Sequence, residues 1–323
     1  MNTLRQPILN ELERYQQLFR QTLTHEDDFL GQALSHVASR QGKMMRPVLL
    51  LLVAKEFGTV SDVSVRAAVT LELLHTASLV HDDVVDNSAE RRGQPAEHTL
   101  FGNKVAILVG DYMLSSALHQ AALTGDMRIV DIIARLGGTL AEGEVRQLAD
   151  IRQAVATEAA YFNIIRHKTA ALFEACGRLG AISAGAPEPM VQTAALLGET
   201  IGTCFQIRDD IFDYFEDDAQ RIGKPTASDM RDGKVTLPAL YAASVDTTGE
   251  AAKLAAFVLQ RSASDADVMR LVELTKQHGG IDYARDTMET YRRRARRLLD
   301  DFSNSEVRSA LAAYVDFTID RDR

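Results

Sequence analysis

VRAAVTLELLHTASLVHDDVVD, residues 65–86, sets apolar side chains at Val65, Val69, Leu73 and Leu74 and ends in three carboxylates, Asp82, Asp83 and Asp86. That spacing predicts one long helix, with Ser61 or Asp62 as its cap, because apolar positions three and four apart share a helix face. On such a helix Asp86 stands one turn beyond Asp82, on the same side. Two like charges at that spacing repel, and carboxylates in apolar company are costly unless something pairs them. A second stretch repeats the design: Asp209-Asp210-Ile211-Phe212-Asp213, again among isoleucine and phenylalanine. A hard divalent cation removes the repulsion. All-oxygen ligation suits Mg²⁺, which keeps several waters and shares substrate phosphates. One such cluster alone reads equally well as an exposed acidic helix end. Two of them, facing one another, would make a Mg²⁺–diphosphate site.

Beyond both clusters the pattern stays helical, with no alternating strand segment and no Asn-Gly hairpin signal. Helices are predicted over 104–123, 127–149, 157–184 and 190–215. They resume at Leu237, with breaks near Thr247-Thr248-Gly249 and Gly279-Gly280. The polar stretches 87–95 and 217–233 follow directly after the two clusters and would lie over the metal site, where loops commonly carry function. A chain of 323 residues could hold two domains at about 150 residues each, but nothing reads as a linker. The expectation is one all-α domain spanning 1–323.

Hydrophobic residues make up 46% and charged residues 25%, an ordinary globular composition. The net charge of −9 argues against a nucleic-acid partner, which calls for a basic face. Cys176 and Cys204 have no metal-ligand spacing and read as reduced core residues of a cytoplasmic protein. Residues 1–20 lack the apolar run of a signal peptide, and the run Val48 to Ala54 is too short to cross a bilayer.

A diphosphate needs cations as well as metal. Arg91-Arg92 follows the first cluster, and guanidinium groups grip phosphate oxygens in pairs. Lys224 and Lys234 each follow a glycine in the second polar stretch. Lys43 and Arg46 precede a helix start at Pro47, where N–H groups favour anions. Lys168-Thr169 and Gln206 interrupt apolar helices, and His75 lies near the end of the first long one. Each alone reads as a solvated or hydrogen-bonded side chain. Together they gather beside both carboxylate groups.

These segments resemble the trans-isoprenyl diphosphate synthases, or polyprenyl synthetases, of the long-chain type. The resemblance runs in order through Gly42-Lys43-Met44-Met45-Arg46-Pro47, Glu72 to Asp86, Glu90-Arg91-Arg92-Gly93 and Gly143-Glu144-Val145-Arg146-Gln147. It continues through His167-Lys168-Thr169, Phe205 to Asp213, Gly223-Lys224-Pro225 and Asp232-Gly233-Lys234. The chain departs from the family's usual Gly-Gly-Lys-Arg at Gln41-Gly42-Lys43-Met44, and Ala227 stands where glycine is common. The resemblance implies an all-α isoprenoid-synthase fold around a deep central cavity, a homodimer, and Mg²⁺ as cofactor. It implies Asp82, Asp86 and Asp209 as metal ligands, with Asp83, Asp210 and Asp213 orienting waters or cations behind them. Arg91, Lys168, Thr169, Gln206, Lys224 and Lys234 would hold an allylic diphosphate; Lys43, Arg46, His75 and Arg92 would hold isopentenyl diphosphate. Asp82, Asp86, Arg91, Lys168, Asp209 and Lys224 would carry the catalysis.

The implied reaction is head-to-tail prenyl transfer. The small side chains Ala77 and Ser78, with Leu74 deeper, would leave the product tunnel open for a chain of about C35–C50, of the kind used as a quinone side chain. Its floor would lie near Tyr112, Leu118 or Met127. A geranylgeranyl or farnesyl product, a terpene cyclase and an inactive synthase subunit are the competing readings. The basic run Arg292 to Arg297 reads as a solvated or internally paired face, with Asp300 and Asp301 as partners, or as a transient contact with an anionic membrane surface.

Overall fold

The computed structural model describes residues 2–26, 28–40, 42–91, 93–153, 156–215 and 226–320. Among these residues the chain is helical throughout, apart from one two-residue antiparallel pairing of Glu90–Arg91 with Gln94–Pro95. The all-α expectation holds. The hairpin was not expected: Gly93, at φ 74°, supplies the left-handed residue that turns the chain there. Two compact units divide the chain. One gathers the chain up to Gly138 with Leu172–Glu199 and Arg297–Tyr314; the other gathers Thr139–Ala171, Thr200–Arg296 and the chain from Val315.

The first unit is organised by the helix Asp62–Val85, whose Ser61 cap accepts the Ser64 N–H. Its 24 residues span about 36 Å. By length and composition it could cross a membrane, yet 67% of its most apolar window is buried inside the protein. Beside it the helix Met45–Phe57 keeps Val48 to Ala54 wholly buried, so it has no solvent face over nearly two turns. Each of its four leucines contributes roughly 1.5–3 kcal/mol relative to exposure. The helix begins at Met45, two residues before the sequence-based expectation, and Pro47 fills its first turn, where a missing N–H costs nothing. The helix Ala171–Ser183 and the start of Glu188–Phe212 touch at glycines. A Cβ on Gly177 would lie 1.9 Å from the Ala194 carbonyl oxygen, and one on Gly198 would lie 2.0 Å from that of Phe173. Only glycine permits this approach.

The second unit has its own core, in which Ile207, Ile211 and Tyr214 meet Leu237, Leu271 and Val272. The expected helix 157–184 is real but interrupted. Glu158–Ile165 passes into a π-helical turn, Arg166–Ala170, before Ala171–Ser183. The wider turn falls on Lys168 and Thr169, and such bulges re-aim side chains at functional sites.

Three arginines of the basic run, Arg292, Arg293 and Arg296, are internally paired. Arg292 reaches Asp316 and Asp320 at 2.7 Å, and Arg296 also reaches Asp316 at 2.8 Å. Arg293 pairs with Glu289 at 3.5 Å. The partners sit on the last helix, Ser305–Asp320, and at Glu289 on the run's own helix rather than at Asp300 and Asp301. Both cysteines are free and buried. Burial pushes the Cys204 thiol up to about 12 and that of Cys176 further still, so both stay protonated, inert core groups.

Candidate active site

In the first unit the helix Asp62–Val85 turns one face to a pocket of about 490 Å³. Glu72, His75, Thr76, Leu79, Val80 and Asp83 line it at intervals of three and four. His75 therefore shares a face with Asp83, two turns away, and is itself buried. The three carboxylates part company at the helix end. Asp83 is buried, Asp82 half-buried and Asp86 exposed, with the Asp86 N–H donating to the Asp82 carbonyl at 2.8 Å.

Arg91, carried back by the hairpin, donates to one oxygen of Asp83 through Nε and Nη2, both at 2.7 Å. Burial raises the Asp83 pKa, and the Arg91 charge offsets part of that. Behind the hairpin, Arg40 pairs with the buried Glu97 and donates to the Pro95 carbonyl, which His36 also contacts at 3.0 Å. Lys43 is exposed, and its carbonyl accepts from Arg5 at 2.6 Å. The Arg46 guanidinium lies over the Phe173 ring at 5.1 Å. Met44, where a basic residue was expected to be missing, adopts φ 52° and accepts from Gln16 through sulfur. His81 sits over Gly110 and contacts the Ile107 carbonyl at 3.1 Å, a packing role.

Ala77 is wholly buried, Leu74 nearly so, and Ser78 is half-buried with its hydroxyl donating to the His75 carbonyl. None of the three lines either pocket. Leu118 is exposed because the helix Asn103–Ala122 turns Met113 and Ala117 inward instead, and Met127, at the start of the next helix, is exposed too; only Tyr112 of the expected floor is half-buried.

In the second unit Tyr161, Lys168, Gln206, Asp210, Asp229 and Lys234 line a pocket of about 800 Å³ with an apolar wall that includes Leu240 and Leu259. Asp210 is the buried member of its cluster. Its Oδ2 accepts from the Tyr161 hydroxyl at 2.6 Å and its Oδ1 from the Gln206 amide at 2.8 Å; the Gln206 carbonyl oxygen accepts from Thr169 at 2.7 Å. Burial pushes the Asp210 carboxyl well above the usual range, and the nearby Asp229 adds to the rise. Asp213 spends both oxygens on the next segment, accepting from the Ser228 N–H and hydroxyl and from the Asp229 N–H. Ala227 adopts φ 59° there, which is why glycine suits this position. Asp209 is half-buried, with the Arg208 guanidinium 3.9 Å away and stacked on Phe212. Lys168 pairs with Glu144 and reaches Gln147; Lys234 lies 3.7–3.9 Å from Asp232 and Asp229.

The structure thus brings Lys168, Thr169, Gln206, Asp210 and Lys234 to one pocket, and His75, Asp83 and Arg91 to the other. Arg92 and Lys224 lie outside the described residues. Sequence reasoning assigned no role to Tyr161, Glu144, Gln147, Asp229, Arg40 or Glu97. Tyr161 precedes Lys168 by two helical turns, a spacing that could have flagged it; Glu97 and Arg40 pair across a separation no local pattern reveals.

The donor set fits a divalent ion held jointly with a phosphate ligand. In each cluster the protein engages the middle carboxylate, Asp83 through one oxygen and Asp210 through both, while Asp82 is half-buried and Asp86, one turn on, is exposed. Among the described residues no three His, Cys, Asp or Glu side chains form a closed metal cage. One or two carboxylates completed by water and phosphate is the arrangement Mg²⁺ favours.

Known proteins resemble the chain over nearly its whole length. The chain is 32% identical to the octaprenyl diphosphate synthase of Haemophilus influenzae, over 97% of this chain and 94% of that one. The crystal structure of a geranylgeranyl pyrophosphate synthase from Bacteroides thetaiotaomicron superposes with a TM-score of 0.87 at 43% identity, covering 99% of each chain. A polyprenyl synthase from Caulobacter crescentus, solved with calcium and isoprenyl diphosphate, superposes at 0.91 with 31% identity, covering 100% of this chain and 98% of that one. The polyprenyl synthetase family profile matches residues 27–275, and the chain belongs to that family.

Proposed function

We propose that this chain is a Mg²⁺-dependent prenyltransferase that joins isopentenyl diphosphate head-to-tail to an allylic diphosphate and builds a long all-trans polyprenyl diphosphate. One observation carries the reading. Lys168, Gln206 and Lys234 line a single pocket with Asp210 of the second aspartate cluster and with Asp229, so cations and carboxylates converge beside the place where a metal-bound diphosphate would lie.

Asp82, Asp86 and Asp209 would hold the ion, and Mg²⁺ bound there supplies positive charge against the departing diphosphate. Lys168, Thr169, Gln206 and Lys234, with Arg91 and Lys224, grip the allylic diphosphate and stabilise the charge it gathers as its C–O bond breaks. Lys43, Arg46, His75 and Arg92 orient isopentenyl diphosphate so that its double bond attacks the allylic carbon. The departing diphosphate is the base that takes the proton, because the buried carboxylates Asp83 and Asp210 are already engaged by the protein. A product of about seven to ten isoprene units, of the quinone side-chain type, would pass the small side chains Ala77 and Ser78, although neither lines either pocket. The octaprenyl relative supports the same length. The 43% identity to a geranylgeranyl synthase favours a twenty-carbon product instead.

Incubation with Mg²⁺, labelled isopentenyl diphosphate and farnesyl diphosphate, with products separated by length, tests both. A ladder ending near forty carbons is expected. A stop at twenty would refute the long-chain reading and keep the chemistry; no incorporation from any primer would refute the chemistry. Ile107, Leu108, Leu118, Leu123 and Met127 are exposed apolar residues of the first unit, which supports a homodimer.

A further inference from the structure

Tyr161 has no place in the proposed chemistry, yet it is buried and its hydroxyl is spent on the second aspartate cluster. It stands on the helix Glu158–Ile165, whose first turn Thr157 caps through the Ala160 N–H at 3.1 Å. Two turns later the same arm of chain enters the π-helical turn that presents Lys168 and Thr169. That arm touches the helix of the second cluster at two points: Tyr161 donates to Asp210 Oδ2 at 2.6 Å, and Thr169 donates to Gln206, which donates to Asp210 Oδ1 at 2.8 Å. Both oxygens of one buried carboxylate are thus held by the lysine arm, one directly and one through Gln206. A single hydrogen bond leaves a side chain free to pivot, whereas two from different points fix its orientation and the distance between the elements.

We infer that Tyr161 is a positioning residue: through Asp210 it locks the arm carrying Lys168 against the helix carrying Asp209, and so sets the spacing between lysine and carboxylate that a metal-bound diphosphate must fit. The inference deepens the prenyl-transfer reading and rests on it, so the test reads binding rather than turnover.

Calorimetric titration of Mg²⁺ with inorganic diphosphate into the wild-type chain, Tyr161→Phe and Tyr283→Phe is decisive. Tyr283 donates to Glu158 on the outer end of the same helix, at 3.0 and 3.1 Å, and serves as the control for a general loosening of that helix. Tyr161→Phe should weaken Mg²⁺–diphosphate binding three- to tenfold while Tyr283→Phe binds as wild type. Unchanged binding by Tyr161→Phe overturns the inference, even if its melting temperature falls. Equal weakening in both variants overturns it too, and so does a wild-type chain that binds no Mg²⁺–diphosphate. If the wild type binds but transfers no prenyl group, the functional reading fails while the positioning role is still measured.

Discussion

Removing the charge of Glu97 tests how the hairpin that carries Arg91 is held. The Glu97 side chain is 1% exposed and its partner Arg40 only 7%, so neither charge is solvated from outside. Glu97→Gln keeps the shape and leaves Arg40 facing the Pro95 carbonyl and, more distantly, the Asp83 charge. Breaking one half of a buried pair costs about 3–5 kcal/mol, because the remaining charge stays desolvated. For a unit of 150–250 residues each kcal/mol lowers the melting temperature by about 2–4 °C, so a loss of roughly 6–20 °C is expected. Replacing both partners, Arg40→Met with Glu97→Gln, removes the stranded charge and should recover most of that loss, since apolar substitutes for buried pairs are often neutral. Urea unfolding of the wild type, both single variants and the double variant gives the coupling energy. A Glu97→Gln cost below about 1 kcal/mol, or additive losses in the double variant, would show that the pair does not anchor the hairpin.

Three further outcomes follow from the packing. Ala77→Phe places a ring at a wholly buried position; the main product should shorten, at a stability cost of about 1–3 kcal/mol from overpacking. Unchanged product length in a folded variant would sink the assignment of Ala77 to the product tunnel. Ala227→Gly relieves a left-handed alanine at φ 59° and should raise stability by up to about 1 kcal/mol by chemical denaturation; a loss would mean that chain entropy outweighs the strain. Leu108→Glu charges the exposed apolar side of Asn103–Ala122 and should halve the mass in light scattering, whereas an unaltered mass would remove this face from any dimer.

The long helix Asp62–Val85 was legible because its 24 residues are rich in apolar side chains with no glycine or proline to break them, and its cap is a local serine. The pairing of Thr169 and Gln206 with the second cluster was legible only as a coincidence of polar residues inside apolar helices. The structure turns that coincidence into hydrogen bonds. Local rules failed where a backbone departs from the regular helix. The π-helical turn at Arg166–Ala170 leaves the apolar period intact on both sides, so the sequence reads straight through it. The hairpin at Glu90–Pro95 is too short to alternate, and its single glycine reads equally well as loop.

The middle aspartates show the deeper limit. Periodicity alone puts Asp83 and Asp210 one residue off the face of their neighbours, which makes them the members turned into the protein. It cannot name what receives them. The two clusters solve the same burial by different means: Asp83 by an ion pair with Arg91 across a hairpin, Asp210 by the neutral donors Tyr161 and Gln206. A charged partner offsets part of the rise that burial imposes on Asp83, whereas Asp210 faces the added repulsion of Asp229. Identical motifs therefore sit in unlike electrostatic surroundings. The difference is set by residues distant in sequence, which is why the motif could locate the site without describing it.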